Sequence, residues 1–129
     1  MTVHDGNGWK ITPLSGWVLE VEGNISTLYH PKGVGAIQIS KYSKDSAVTK
    51  ADLLDLASEH IEAGANYKEY EENFLKVLTF AFGHDGEFWQ HWYIAISSGV
   101  LFITYNCDEA DREVELEQVK SMVATVSAT

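Results

Sequence analysis

The sequence predicts an α+β domain: a mainly antiparallel sheet of about seven strands with helices packed on both faces, an α-β-α sandwich. Three observations carry this expectation. Apolar runs of period two, separated by short turn signals, fill most of the chain. Only two stretches, near 49–63 and 109–127, carry apolar residues at helical spacing. The three longest strands are apolar on both sides, so neither face of their sheet suits open water. With 129 residues, the chain is expected to form one domain over 1–129 with one hydrophobic core.

The elements follow in order. Trp9 to Thr12 reads as an extra edge strand. Trp17 to Glu22 is a strand, Gly23-Asn24 a two-residue hairpin turn, and Ile25 to His30 the return strand. His30-Pro31-Lys32-Gly33 places proline and glycine where a type I turn prefers them. Val34 to Tyr42 then alternates, with Ile37 and Ile39 on one side and Gln38 and Ser40 on the other. Thr49 and Asp52 form a capping-box pattern that opens a helix with Leu53, Leu54, Ala57 and Ile61 as its stripe, and Gly64 as its stop. Strands are expected at Tyr67–Glu72, Phe74–Phe82, Glu87–Ser97 and Val100–Cys107, turning at 83–86 and at Ser98-Gly99. A closing helix is expected to start at Asp108 and to show Leu116, Val119, Met122, Val123 and Val126 on one side.

The hairpins sort these strands into two faces. A turn at Ser98-Gly99 pairs Trp92 with Tyr105, and a four-residue loop at 83–86 pairs Phe80 with Trp89. One face then holds Leu75, Val77, Phe88, Trp92, Ile94, Ile96, Leu101, Ile103 and Tyr105. The other holds Leu78, Phe80, Phe82, Trp89, His91, Tyr93 and Phe102. A helix on each side is the simplest cover for both; a partner, a ligand or a second copy of the chain is the alternative.

Composition narrows the function classes. The formal charge is −10, and Arg112 is the only arginine, which speaks against nucleic acid or an anionic membrane as partner. The excess is uneven: residues 65–129 carry 11 acidic and 4 basic side chains. Much of it lies at Asp108, Glu109, Asp111, Glu113, Glu115 and Glu117, read here as a solvated helix start favoured by the helix dipole. The N-terminal residues lack the pattern of a signal peptide, no apolar run is long enough to span a bilayer, and Cys107 is the lone cysteine; the expectation is a cytoplasmic protein.

No reaction is specified. His84, Asp85, Glu87 and His91 include metal-ligating types, but His91 lies about 15 Å along the strand from Asp85, so no metal site is expected. Cys107 is flanked by Asp108 and Glu109, which oppose thiolate formation, and no base stands near it in sequence. Paired carboxylates such as Glu71-Glu72, or Glu20 with Glu22, sit at exposed-looking strand positions. Gly33-Val34-Gly35 precedes a strand rather than a helix, unlike a phosphate loop. No catalytic residue and no cofactor are expected.

Trp9-Lys10-Ile11, Gly16-Trp17-Val18-Leu19-Glu20-Val21, Tyr29-His30-Pro31 and the alternating Gly33–Ser40 run, followed by an acidic closing helix with a small-residue tail, resemble the PsbP-like superfamily, which includes the Ran-binding-factor-Mog-like proteins and many bacterial members. The resemblance spans the whole chain through its element order and rests on short aromatic and turn signatures. It implies an α-β-α sandwich and a binding or assembly role rather than catalysis, as in bacterial secretion-adaptor relatives. It assigns no functional residue here.

The expectation is therefore a non-enzymatic binding or interaction protein whose partner is another, basic protein. Its surface is expected to use the aromatic rim at Trp89 and Tyr93 or the acidic residues Asp108, Glu109 and Asp111. A homodimer, a small-ligand binder or enzyme with its pocket between sheet and helix, and an acidic immunity-type protein binding a basic partner are the alternatives.

Overall fold

The computed structural model describes residues 3–97 and 99–129. Met1 and Thr2, and Ser98 of the expected Ser98-Gly99 turn, lie outside the described residues. The chain runs β1 (His4–Asp5), β2 (Trp9–Ile11), β3 (Val18–Glu22), β4 (Ile25–Tyr29), β5 (Gly35–Ser43), α1 (Lys50–Leu56), α2 (Ser58–Glu62), β6 (Lys68–Glu72), β7 (Leu75–His84), β8 (Glu87–Ile96), β9 (Gly99–Asp108), a short 3₁₀ turn (Glu109–Asp111), α3 (Leu116–Val123) and β10 (Ser127–Ala128). Seven strands form one antiparallel sheet in the order β3-β4-β5-β9-β8-β7-β6. β1, β2 and β10 form a second, three-stranded sheet.

The hairpin turns show why the strands fall where the sequence puts them. Gly23 takes φ 58° at the head of the β3–β4 turn. Asp85 and Gly86 take φ 51° and 80°, both left-handed, as a two-residue hairpin requires. His84 therefore pairs with Glu87, and Phe80 faces His91 rather than Trp89. The other long hairpin also differs: Ile96 pairs with Gly99, and Trp92 with Ile103 rather than Tyr105. In each hairpin the partner moves by two positions, which leaves every side chain on its expected face. Asn73 and Phe74, with φ 52° and 66°, form the β6–β7 turn, so β7 starts after Phe74.

Three further expectations are corrected. The helix expected over 49–63 breaks at Ala57, whose ψ of 0° ends α1. Its predicted cap is present: Thr49 accepts from the Asp52 amide at 3.2 Å, and Asp52 accepts from the Thr49 amide at 2.7 Å. The closing helix does not start at Asp108. β9 runs on to Asp108, paired with Glu87, and α3 begins only at Leu116 because Glu115 is turned inward instead of continuing a solvated helix start. The Trp9 strand does not edge the large sheet but is the centre of the small one, held by His4–Asp5 and Ser127–Ala128.

The apolar side chains form two clusters. The larger joins Trp9, Ile11, Val119, Met122 and Val123 to the Trp92, Ile103 and Tyr105 side of the sheet, here called face one. The smaller joins Leu53 and Ala57 of α1 to Leu78, Phe80, Tyr93 and Val100 on face two. Glu115 crosses into the first region. Its Oε1 accepts from the Tyr105 hydroxyl and the Gly35 amide, each at 2.9 Å, although the residue is only 5% exposed.

Candidate functional site

Strand register builds a grid on face two. Phe82, Trp89 and Asn106 stand in one row across β7, β8 and β9. Phe80, His91 and Thr104 make the next row, and Gln38 of β5 extends it. Leu78, Tyr93, Phe102 and Ser40 make the third. α1 covers the Leu78–Tyr93 end, and α2 brings His60 against Phe82, with ring centroids 4.6 Å apart, and against His91 at 5.2 Å. Beyond His60 the face is open. There lies a cleft of about 490 Å³ lined by Ile25, Gln38, Ser40, His60, Phe82, His84, Trp89, His91, Phe102 and Thr104.

His91 is the centre of this arrangement. It is 8% exposed, and its Nδ1 is sealed from solvent with no hydrogen-bond partner. Burial, reinforced by the nearby His60, pushes its pKa down to about 4, so the ring is neutral at physiological pH. Trp89 lies parallel to Phe82, with 6° between planes and 6.3 Å between centroids. Tyr93 and Phe102 stack at 4.9 Å. Burial, then the neighbouring Tyr42, raises the Tyr93 hydroxyl to about 12.

Of the residues expected to bind a partner, Trp89 is half-buried at the cleft, whereas Tyr93 is only 6% exposed and packs among the cluster under α1. Asp108 is exposed at the end of β9 and shares face two with Trp89, because Trp89 pairs with Asn106 and Glu87 with Asp108. Glu109 and Asp111 lie in the following 3₁₀ turn, where Glu109 pairs with Arg112 at 3.0 Å. Asp111 stands within electrostatic reach of Cys107 on face one, whereas Trp89 and Asp108 share face two. The sequence offered them as alternatives; the strand register that joins them follows from the same hairpins. His91 was seen as a strand histidine, but His60, 31 positions earlier in another element, carried no signal of its approach.

Among the described residues, no three His, Cys, Asp or Glu side chains are grouped to hold a metal ion. His84 pairs instead with Asp85 at 3.1 Å. Cys107 is 3% exposed on face one, and its thiol pKa is raised by burial first, with Asp111, Glu115 and Asp108 adding to the rise. Cys107→Ser is expected to lower unfolding free energy by about 1–2 kcal/mol, the cost of a buried hydroxyl, without altering binding. Denaturant titration beside a binding assay checks this; lost binding in a fully folded variant would give the thiol a role.

A second cleft, of about 390 Å³, opens on face one between the sheet and α3. Its floor includes Thr79, Gln90 and Trp92, and Lys68 and Lys120 stand among its walls. The Gln90 amide donates to Thr79 Oγ1 at 2.8 Å, and the Thr79 hydroxyl donates to the His91 carbonyl at 2.7 Å. Among the described residues, no helix is long and apolar enough to cross a membrane.

No family model matches the sequence, and no curated protein matches it. Solved structures do match. A crystal structure of a protein from Bacteroides thetaiotaomicron VPI-5482 superposes at TM-score 0.69 and 12% identity over 94% of this chain, which spans only 45% of that protein. LpqN of Mycobacterium tuberculosis, described as involved in cell envelope biogenesis, superposes at 0.66 and 13% identity, over 99% of this chain and 90% of its own. The cyanobacterial PsbP (CyanoP) from Synechocystis sp. PCC 6803 gives 0.57 and 11%, over 99% and 92%.

Proposed function

The chain has a PsbP-like fold, and from that premise we propose that it is a non-enzymatic binding protein of the adaptor or assembly kind. In this reading the molecule is an α-β-α sandwich, with α1 and α2 on one face and α3 on the other. It engages a second, positively charged protein through the part of face two that α1 and α2 leave open. The observation that carries the reading is the charge pattern of that surface. By strand register it bears Glu20, Glu22, Glu87 and Asp108 on the face of Trp89, and Arg112 beside this end is already paired with Glu109. A rim of one sign attracts a partner of the other, and an aromatic anchor supplies the desolvated contact that charge alone lacks.

The test begins with capture from the host lysate at low and high salt, followed by kinetics with the captured partner. Replacing Asp108, Glu109 and Asp111 with Asn, Gln and Asn is expected to slow association and flatten its salt dependence. Trp89→Ala is expected to accelerate dissociation instead. Circular dichroism of each variant separates these effects from unfolding. If neither variant alters binding to the partner, this surface is not the one used.

A further inference from the structure

We infer that the cleft beside α2 is a binding site for a small, flat, uncharged aromatic molecule carrying one hydrogen-bonding oxygen. The inference does not depend on the protein partner proposed above. Its size fits: about 490 Å³ falls within the roughly 300–1,000 Å³ typical of small-molecule sites.

The shape selects for flatness. Phe82 and Trp89 lie nearly parallel on one side, Phe102 closes another, and His60 overhangs from α2. Aromatic walls of this kind favour a planar guest that stacks in offset or edge-to-face contact. The lining selects against charge. Gln38, Ser40 and Thr104 are its neutral polar members, and no carboxylate, lysine or arginine is among the lining residues. A charged guest would lose water there without gaining a counter-charge.

His91 selects the polar group. Its Nδ1 is sealed from solvent and has no protein partner. An orphaned buried N–H is rarer and costlier than an under-used acceptor, so the proton of the neutral ring belongs on Nε2. Nε2 makes no hydrogen bond among the described residues and, unlike Nδ1, is not sealed from solvent. The ring therefore offers one N–H to the cleft, and the matching guest group is a hydroxyl or carbonyl oxygen. The depressed basicity of His91 supports the same conclusion, because a neutral ring places no cation in the wall.

The test titrates four probes into the full chain: 2-naphthol, naphthalene, 2-naphthoate and 2-naphthylmethylammonium. Affinity is read from tryptophan fluorescence and position from the ring ¹⁵N signals of His91. We expect 2-naphthol to bind about 5-fold tighter than naphthalene, the worth of one net hydrogen bond, and tighter than either charged analogue. The Nε2 signal of His91 should shift with 2-naphthol and hardly with naphthalene. In His91→Phe the advantage of 2-naphthol should vanish while naphthalene still binds. Equal affinity for the two neutral probes, tightest binding by a charged one, an unmoved His91 signal, or no saturable binding by any probe would each overturn the proposal. The comparison among probes uses the unaltered protein, so it stands even if His91→Phe fails to fold.

Discussion

Glu115→Ala is expected to lower the unfolding free energy by about 3–4 kcal/mol, from two or three buried donors that each cost about 1–3 kcal/mol when left unpaired, less the relief of no longer burying a carboxylate. The donors are the Tyr105 hydroxyl and the Gly35 amide, with the Val34 amide at 3.4 Å as a weaker third. All three converge on one carboxylate oxygen, which ties the entry of β5 to the centre of β9 and to the start of α3. Burial raises the Tyr105 hydroxyl pKa, and its bonds to Cys107 and Glu115 raise it further, so it remains a donor throughout the ordinary pH range. Glu115→Gln keeps an acceptor and should lose about half as much. Glu113→Ala, whose carboxylate is 86% exposed, should change stability by less than about 0.5 kcal/mol. Urea denaturation of the three variants checks this. An Ala variant within 1 kcal/mol of the parent would mean that water replaces the carboxylate at no cost.

The second large effect is a loss of stability on mild acidification. His91 has a folded pKa of about 4 against an ordinary value of 6.5. Between those values the unfolded chain holds a proton that the folded chain does not. Its contribution is therefore fully present above pH 6.5 and declines as pH falls to about 4. The expected loss over that window is about 2 kcal/mol, allowing for water in the adjoining cleft. The titratable groups facing His91 are His60 from α2 and Tyr93 on its own strand, with His84 across the cleft; Tyr93 stays neutral in this range. A separate acid limb lies lower. Asp52 is held down to about 2, by its bond to Lys44 first and by the Thr49 amide next, so its contribution is lost only as pH falls from 3.8 towards 2. His91→Leu should flatten the upper limb and leave the lower one. Denaturant titrations at pH 7.0, 5.5 and 4.5 would refute this if the parent's stability were constant, or if His91→Leu kept the parent's slope.

The seven strands of the large sheet were legible because alternation and turn chemistry agree along this chain. Asp85-Gly86 and Gly23-Asn24 are turns that tolerate left-handed backbone, and each sits between apolar runs. Even where the register slipped, the faces survived, since each slip was by two residues. Glu115 was not legible. In sequence it is one of six acids between Asp108 and Glu117, and only Tyr105 and Gly35, brought beside it by β9 and β5, distinguish it. The small sheet was half legible: Trp9–Ile11 alternates, but two-residue strands such as His4–Asp5 and Ser127–Ala128 are too short to show a period. The candidate surface was named in parts, Trp89 and Asp108, whereas the cleft needed His60, which only the break at Ala57 brings over the sheet.

The strand order bears on how the chain is made. Within the large sheet every pairing joins consecutive strands except β5 with β9, whose partners such as Gly35 and Cys107 lie far apart in sequence. β2 likewise waits for Ser127–Ala128. During synthesis, β3, β4 and β5 emerge with one flank unpaired and Ile37 and Ile39 uncovered until β9 and α3 have left the ribosome. Native packing of the first half is therefore a late event, following closure of a long loop, and the nascent half-chain is the species most exposed to aggregation.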